Sequence, residues 1–129
     1  MLECLILGDS IAVGIAQHRP ECVAYVKTGI NSYNWNNQHI TKNLSGKTVV
    51  ISLGANDHKG VKTEQELRKM REAIKAERVF WIDPGQGRKP VPHDAIVRIA
   101  KEYGDTILPR PKGHMSTDGV HPTGRGYKI

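Results

Sequence analysis

Five short apolar runs recur along the chain, and the segments between them are polar or have helical periodicity. This alternation is typical of buried parallel strands joined by crossover helices. The runs occupy residues 2–7, 23–26, 48–53, 78–82 and 106–108. A chain of 129 residues has room for one core. We therefore predict a single domain over residues 1–129, an α/β sandwich of three layers with a mostly parallel sheet.

Three of the intervening segments are predicted to be helices. They are residues 10–17, 63–76 and 92–103. The second is rich in good helix formers, and Thr63 followed by Glu66 predicts a capping box at its start. The third has apolar residues at i, i+3, i+4 spacing, and Gly104 is its stop signal. Residues 31–43 are rich in Asn and fit either a short helix or a long polar loop.

Clusters of glycine and polar residues follow each of the first three predicted strands. The clusters are Gly8-Asp9-Ser10, Thr28-Gly29-Ile30-Asn31 and Gly54-Ala55-Asn56-Asp57. In open parallel sheets, ligands bind beyond the carboxyl ends of the strands, where the strand order reverses. If the order is 2-1-3-4-5, all three clusters share one rim of the sheet.

A fourth cluster, residues 118–121, follows the last predicted strand and can fold back over that rim. A serine nucleophile needs an adjacent base, and an imidazole base needs a carboxylate to fix its tautomer. Asp118 precedes His121 by three residues and can supply that carboxylate. An acyl-transfer site also needs donors for the developing oxyanion. The candidate donors are the backbone N–H groups of Ser10 and Gly29 and the side-chain amide of Asn56.

Together the four clusters resemble the motifs of the SGNH (GDSL-like) hydrolases, in the order of that family. The resemblance spans nearly the whole chain, through Gly8-Asp9-Ser10, Gly29, Gly54-Ala55-Asn56-Asp57 and Asp118-Gly119-Val120-His121-Pro122. It implies a flavodoxin-like α/β/α fold with five strands in the order 2-1-3-4-5. It implies a serine esterase that acts through an acyl-enzyme, and neither a metal nor an organic cofactor. The implied residues are Ser10 as nucleophile, Asp118 and His121 as its partners, and Ser10, Gly29 and Asn56 as oxyanion hole.

The chain departs from this family at its end. It stops at residue 129, where typical members continue into a C-terminal helix. We expect either a truncated chain or a minimal version of the fold, and a missing helix would expose part of the sheet.

Each motif alone has a plainer explanation, because Gly, Asn, Asp and Ser also form turns and helix caps. One alternative is a noncatalytic carbohydrate- or acyl-binding module on the same fold. Another is a phosphate or nucleotide binder that uses the first helix N-terminus. The second alternative leaves Asp118 and His121 unused and lacks a Walker-type lysine motif.

The expected substrate is a small-molecule or glycan ester, with small acyl groups on carbohydrate favoured because a short chain has little material for a deep lipid pocket. Tyr33 and Trp35 are candidates for a substrate groove, whereas Trp81 is expected in the core. Asp9 and Asp57 are expected to hold turns through hydrogen bonds to backbone N–H groups. The other histidines show no metal-ligand spacing and are expected at the surface or as caps.

The net charge of +6 favours anionic partners, but the basic residues are spread along the chain without a block. We therefore expect a solvated basic surface and no nucleic-acid partner. Cys4 is expected as a small buried thiol, and neither cysteine has metal-ligand spacing. The first apolar stretch is too short for a membrane span and lacks signal-peptide features. A cytoplasmic protein with no membrane association is the default, although a removed signal peptide or release by lysis would leave the same sequence. The oligomeric state stays open.

Overall fold

A single parallel sheet forms the middle of the molecule. The computed structural model describes residues 1–85 and 87–111. The strands are β1 (Leu2–Gly8), β2 (Val23–Val26), β3 (Ser45–Ser52), β4 (Lys75–Ile82) and β5 (Thr106–Leu108). All neighbouring strands pair in parallel. Their order is 2-1-3-4-5, so the predicted sheet is confirmed.

Four helices connect these strands. They are α1 (Ser10–Gln17), α2 (Ser32–His39), α3 (Thr63–Ala73) and α4 (Pro90–Tyr103). The Asn-rich segment contains α2, so the helical alternative applies there. The third helix is shorter than predicted, because Ile74 is extended and the Lys75 N–H donates to the Leu44 carbonyl at 3.1 Å. Gly104 ends α4 with a φ of +74°, as its stop signal predicted.

Hydrophobic side chains pack on both faces of the sheet. Successive residues of a strand point to opposite faces, and accordingly Leu5 and Leu7 belong to one core cluster and Ile6 to another. The larger cluster joins the sheet to α2, α3 and α4, and includes the fully buried Trp81 as predicted. The smaller cluster joins it to α1. The expected three-layer α/β/α sandwich is therefore confirmed.

The sheet face beside α1 carries an apolar groove of about 380 Å³. Its apolar lining comes from Ile6, Ile15, Val50, Phe80 and Leu108. Of the helices in the described ranges, only α1 packs on this face.

The two cysteines form a disulfide, so the expectation of a buried free thiol at Cys4 was wrong. The register of β1 and β2 pairs Leu5 with Val23, which places Cys4 beside Cys22 with their Cα atoms 4.8 Å apart. They are 18 positions apart in the sequence. Only the pairing of the strands brings them together, and sequence spacing alone cannot show that pairing.

Candidate active site

A cavity of about 250 Å³ opens at the carboxyl edge of the sheet. It lies among the segments that follow β1, β3 and β4, close to the point where the strand order reverses. The residues that line it are Asp9, Ser10, Ile11, Ser52, Leu53, Ala55, Asn56, Ile82, Asp83, Pro84, Arg88, Lys89 and Arg110. The structure thus brings Ser10 and Asn56 into one cavity. Asp118 and His121 lie outside the described residues.

The turn from β1 into α1 is built around Gly8, whose φ is +136°. A Cβ atom at this position would lie 1.7 Å from the Ser52 carbonyl oxygen, so no other residue fits. That close approach lets the Asp9 N–H donate to the Ser52 carbonyl at 2.8 Å. Ser10 is consequently the first residue of α1, fixed at the sheet edge with its backbone N–H in the first helical turn.

Asp9 caps α1 from inside the protein. Its Oδ1 accepts from the Ile11 N–H at 3.1 Å and from the Ser52 hydroxyl at 3.0 Å. The expected turn-holding role of this carboxylate is confirmed. Its side chain is only 1% exposed. Burial raises the pKa of Asp9 from 3.8 to about 6, although the hydrogen bonds from Ser52 and the helix N–H groups oppose that shift.

Replacing Asp9 by Asn is expected to stabilise the protein at high pH but not in acid. The folded-state pKa of Asp9 is raised, so its contribution to stability is fully present below pH 3.8 and is lost as the pH rises through about 6. Above that range the buried charge costs about 3 kcal/mol. Asn retains an Oδ1 acceptor and carries no charge. Urea unfolding at pH 8 and pH 4 should show a gain of up to about 3 kcal/mol at pH 8 only.

Asp94→Asn is the control, because Asp94 is an exposed carboxylate on α4. It should change the free energy of unfolding little at either pH. An Asp9→Asn effect of equal size at both pH values would contradict the assigned cause.

Asn56 belongs to the segment that follows β3. Its side chain is exposed, and its Nδ2 donates to the Ile30 carbonyl at 3.2 Å. An amide nitrogen has two protons, so a second donor is available for a substrate. Gly29 directly precedes Ile30 and has a φ of +80°, but it does not line the cavity. Asn56 therefore links the cavity to the loop in which Gly29 lies.

Asp57 holds the starts of two helices against this segment. Its carboxylate accepts from the Ser32 N–H at 2.8 Å, the Ser32 hydroxyl at 2.6 Å and the Thr63 hydroxyl at 2.7 Å. The turn-holding role predicted for Asp57 is therefore confirmed. The predicted capping box was wrong, since Lys62 is the N-cap of α3 and makes no side-chain cap bond, while the Thr63 hydroxyl is taken by Asp57.

Sequence reasoning missed a carboxylate and an imidazole beside the cavity. Asp83 follows β4 and lines the cavity, and its Oδ1 accepts from the Gly85 N–H at 2.8 Å. The same oxygen lies 2.8 Å from Nδ1 of His93 on α4. Asp83 directly follows a predicted strand, so the rule that identified the first three clusters could have found it.

The aromatic groove predicted at Tyr33 and Trp35 does not form. Trp35 is fully buried in the larger core cluster, and its indole N–H donates to the Tyr25 carbonyl at 2.9 Å. Tyr33 is 52% exposed but does not line the cavity. Because α2 begins at Ser32, Trp35 lies on the face of the helix that packs on the sheet.

Within residues 1–85 and 87–111, no group of three or more His, Cys, Asp or Glu side chains could hold a metal ion. In the same part of the chain, no helix is long and apolar enough to cross a membrane.

The sheet order 2-1-3-4-5 and the helices on both faces of the sheet define a flavodoxin-like α/β/α fold. No family model matches the sequence, and no curated protein is similar to it in sequence. Solved structures do match it over nearly its whole length.

Three solved structures illustrate the similarity. A GDSL-like lipase from Bacteroides thetaiotaomicron matches 98% of this chain and 82% of its own, with 20% identity and a TM-score of 0.66. The C-terminal catalytic domain of Streptococcus pneumoniae peptidoglycan O-acetyltransferase A matches 97% of this chain and 87% of its own, with 16% identity and a TM-score of 0.66. A carbohydrate acetylesterase family member from Sinorhizobium meliloti matches 97% of this chain and 92% of its own, with 12% identity and a TM-score of 0.59. The fold implied by the resemblance to SGNH hydrolases is therefore confirmed.

Proposed function

We propose that this protein is a serine ester hydrolase of the SGNH type. The observation that carries the proposal is the position of Ser10 at the start of α1, in the same cavity as the Asn56 amide. A nucleophile and an oxyanion donor must face one substrate volume, and a helix N-terminus favours the negative charge that develops there. The fold shared with GDSL-like lipases and acylhydrolases supports the same reading.

In the proposed mechanism, the Ser10 hydroxyl attacks the acyl carbonyl while His121 removes its proton, and Asp118 orients and stabilises the imidazolium. The Ser10 N–H and the Asn56 amide, from two residues that line the cavity, stabilise the tetrahedral oxyanion. Gly29 does not line the cavity, so this mechanism assigns it no donor role. Collapse releases the alcohol, which takes the proton from His121, and leaves an acyl ester on Ser10. Water then attacks this ester with His121 as base, and the acid leaves as Ser10 regains its proton.

Asn56→Ala is expected to lower kcat by about 10²- to 10³-fold, the usual effect of removing one oxyanion donor. KM should change much less, because the donor acts mainly on the charge of the transition state. Steady-state hydrolysis of an aryl acetate measures both constants. Asn37→Ala removes an exposed amide of α2 that does not line the cavity, and should leave kcat unchanged. A large rise in KM with unaltered kcat would contradict the oxyanion role.

The proposed substrates are esters of small acyl groups, with acetylated carbohydrate favoured. A cavity of about 250 Å³ lies below the usual range of drug-sized ligand pockets and suits an acetyl rather than a long acyl chain. Two proteins of the same fold carry the names peptidoglycan O-acetyltransferase and carbohydrate acetylesterase, which also favours a sugar ester.

A panel of acetylated sugars and aryl esters of increasing acyl length tests this proposal. The wild type should release alcohol and acid in equal amounts, fastest for acetyl esters, whereas Ser10→Ala should lose nearly all of this activity. Ser45→Ala, at the far end of β3, is the matched control and should behave as wild type. Binding of a sugar ester without acid release would instead indicate a noncatalytic module. Preference for long acyl chains would refute the small-acyl assignment.

We also infer that the protein matures in an oxidising compartment rather than in the cytoplasm expected by default. The Cys4–Cys22 disulfide carries this inference, since structural disulfides are rare in reducing compartments. Protein from its native compartment should expose no thiol to an alkylating reagent after denaturation without reductant. Two alkylated cysteines would refute the inference.

A further inference from the structure

Three basic side chains line the cavity that contains Ser10. They are Arg88, Lys89 and Arg110. The first two lie just before α4, and Arg110 follows β5, so two separate segments bring cations to this cavity. The sequence suggests a diffuse basic surface, but the fold concentrates these charges beside the proposed nucleophile.

The carboxylates of the same cavity are held by other groups. Asp9 accepts hydrogen bonds from the Ile11 N–H and the Ser52 hydroxyl. Asp83 accepts a hydrogen bond from the Gly85 N–H and contacts Nδ1 of His93. Between residues 1 and 111, with residue 86 left aside, neither Lys89 nor Arg110 forms an ion pair with a carboxylate. Arg110 is half-buried, so a neutral substrate that filled the cavity would remove water from its guanidinium without replacing the hydrogen bonds of that water.

We propose that the substrate is an ester that also carries an anionic group, a carboxylate, phosphate or sulfate, which Lys89 and Arg110 bind. This inference rests on the proposed ester hydrolysis. Guanidinium and ammonium groups both form charge-assisted hydrogen bonds with oxyanions, and these bonds are stronger than neutral ones. The small volume requires that the anionic group be close to the ester, either in its acyl part or in its alcohol part.

The test compares anionic esters with neutral esters of matched shape. For the acyl part, the pair is para-nitrophenyl hydrogen succinate and its methyl ester. For the alcohol part, the pair is para-acetoxybenzoate and its methyl ester. In Lys89→Glu/Arg110→Glu, kcat/KM for the anionic ester of at least one pair should fall about 10-fold or more relative to wild type. The ratio of kcat/KM for the anionic ester to kcat/KM for its neutral partner should also fall about 10-fold, because any loss that the new carboxylates cause at the oxyanion is common to both esters.

The matched control is Lys69→Glu/Lys101→Glu, which changes the net charge equally at two exposed lysines of α3 and α4 that do not line the cavity. This variant should treat both members of each pair as wild type does. Raising the salt concentration should reduce the wild-type preference for the anionic ester. The pair that loses its preference identifies the part of the substrate that carries the anion.

If kcat/KM for all four esters falls equally in the charge-reversed variant, the proposal of an anionic substrate is overturned, whereas the proposal of ester hydrolysis is not. Equal losses in the control variant would also overturn it, since the effect would then be one of net charge. Failure to hydrolyse any ester would overturn the proposed function, and this inference with it.

Discussion

Ser10→Ala is expected to lower kcat/KM for aryl acetates by about 10⁴- to 10⁶-fold, because it removes the atom that forms the acyl-enzyme. The activity that remains should come from substrate binding and from the oxyanion donors. Ser10 is the first residue of α1, and the cap of that helix comes from Asp9, so the variant should fold normally.

Two measurements separate chemistry from folding in this variant. Its urea unfolding curve should match wild type within about 0.5 kcal/mol, as expected for a partly exposed site. A rapid-mixing experiment should show a burst of alcohol in wild type if deacylation is slow, and none in Ser10→Ala. A variant that retains more than about a tenth of wild-type kcat/KM would contradict the nucleophile assignment.

Gly8→Ala is expected to cost more than about 4 kcal/mol of the free energy of unfolding, a loss that few single substitutions reach. The added Cβ would lie 1.7 Å from the Ser52 carbonyl oxygen, where no backbone rotation is available without breaking the sheet. The φ of +136° is itself unfavourable for a residue with a Cβ. Separation of the strands would also break the 2.8 Å hydrogen bond from the Asp9 N–H to Ser52.

Gly87→Ala provides the control, since a Cβ at that position meets no heavy atom within 4 Å. It should fold with nearly unchanged stability, whereas Gly8→Ala should unfold at a much lower urea concentration than wild type when followed by far-UV circular dichroism. A Gly8→Ala protein that unfolds at the wild-type urea concentration would show that the turn can rearrange, contrary to its geometry here.

The sheet and most elements were predictable because their signals are local. Buried parallel strands appear as apolar runs, and the run at residues 23–26 coincides with β2. Gly104 ends α4 because its left-handed backbone favours glycine. The end of α3 was not predictable from the sequence. Lys75 pairs with Ser45 in the sheet, and this tertiary contact overrides the helix propensity of the residues around Lys75.

The candidate site was only partly predictable for a similar reason. Ser10 and Asn56 follow strands, and the rule for open parallel sheets places such residues at one edge. The disulfide depends on the register of β1 and β2, and the basic lining of the cavity depends on Arg110 reaching the same cavity as a turn more than twenty residues earlier. Trp35 was wrongly predicted to line a substrate groove. Its position near the rim of the sheet does not reveal that its side chain is buried in the core.

The most direct test of the account is covalent trapping with a fluorophosphonate, which reacts with an activated serine and not with an ordinary one. Peptide mass mapping of the treated wild type should find one phosphonyl adduct, on Ser10, and the adduct should disappear in Ser10→Ala and in His121→Ala. Labelling of another residue, or a Ser10 that stays unmodified while the protein hydrolyses esters, would contradict the account.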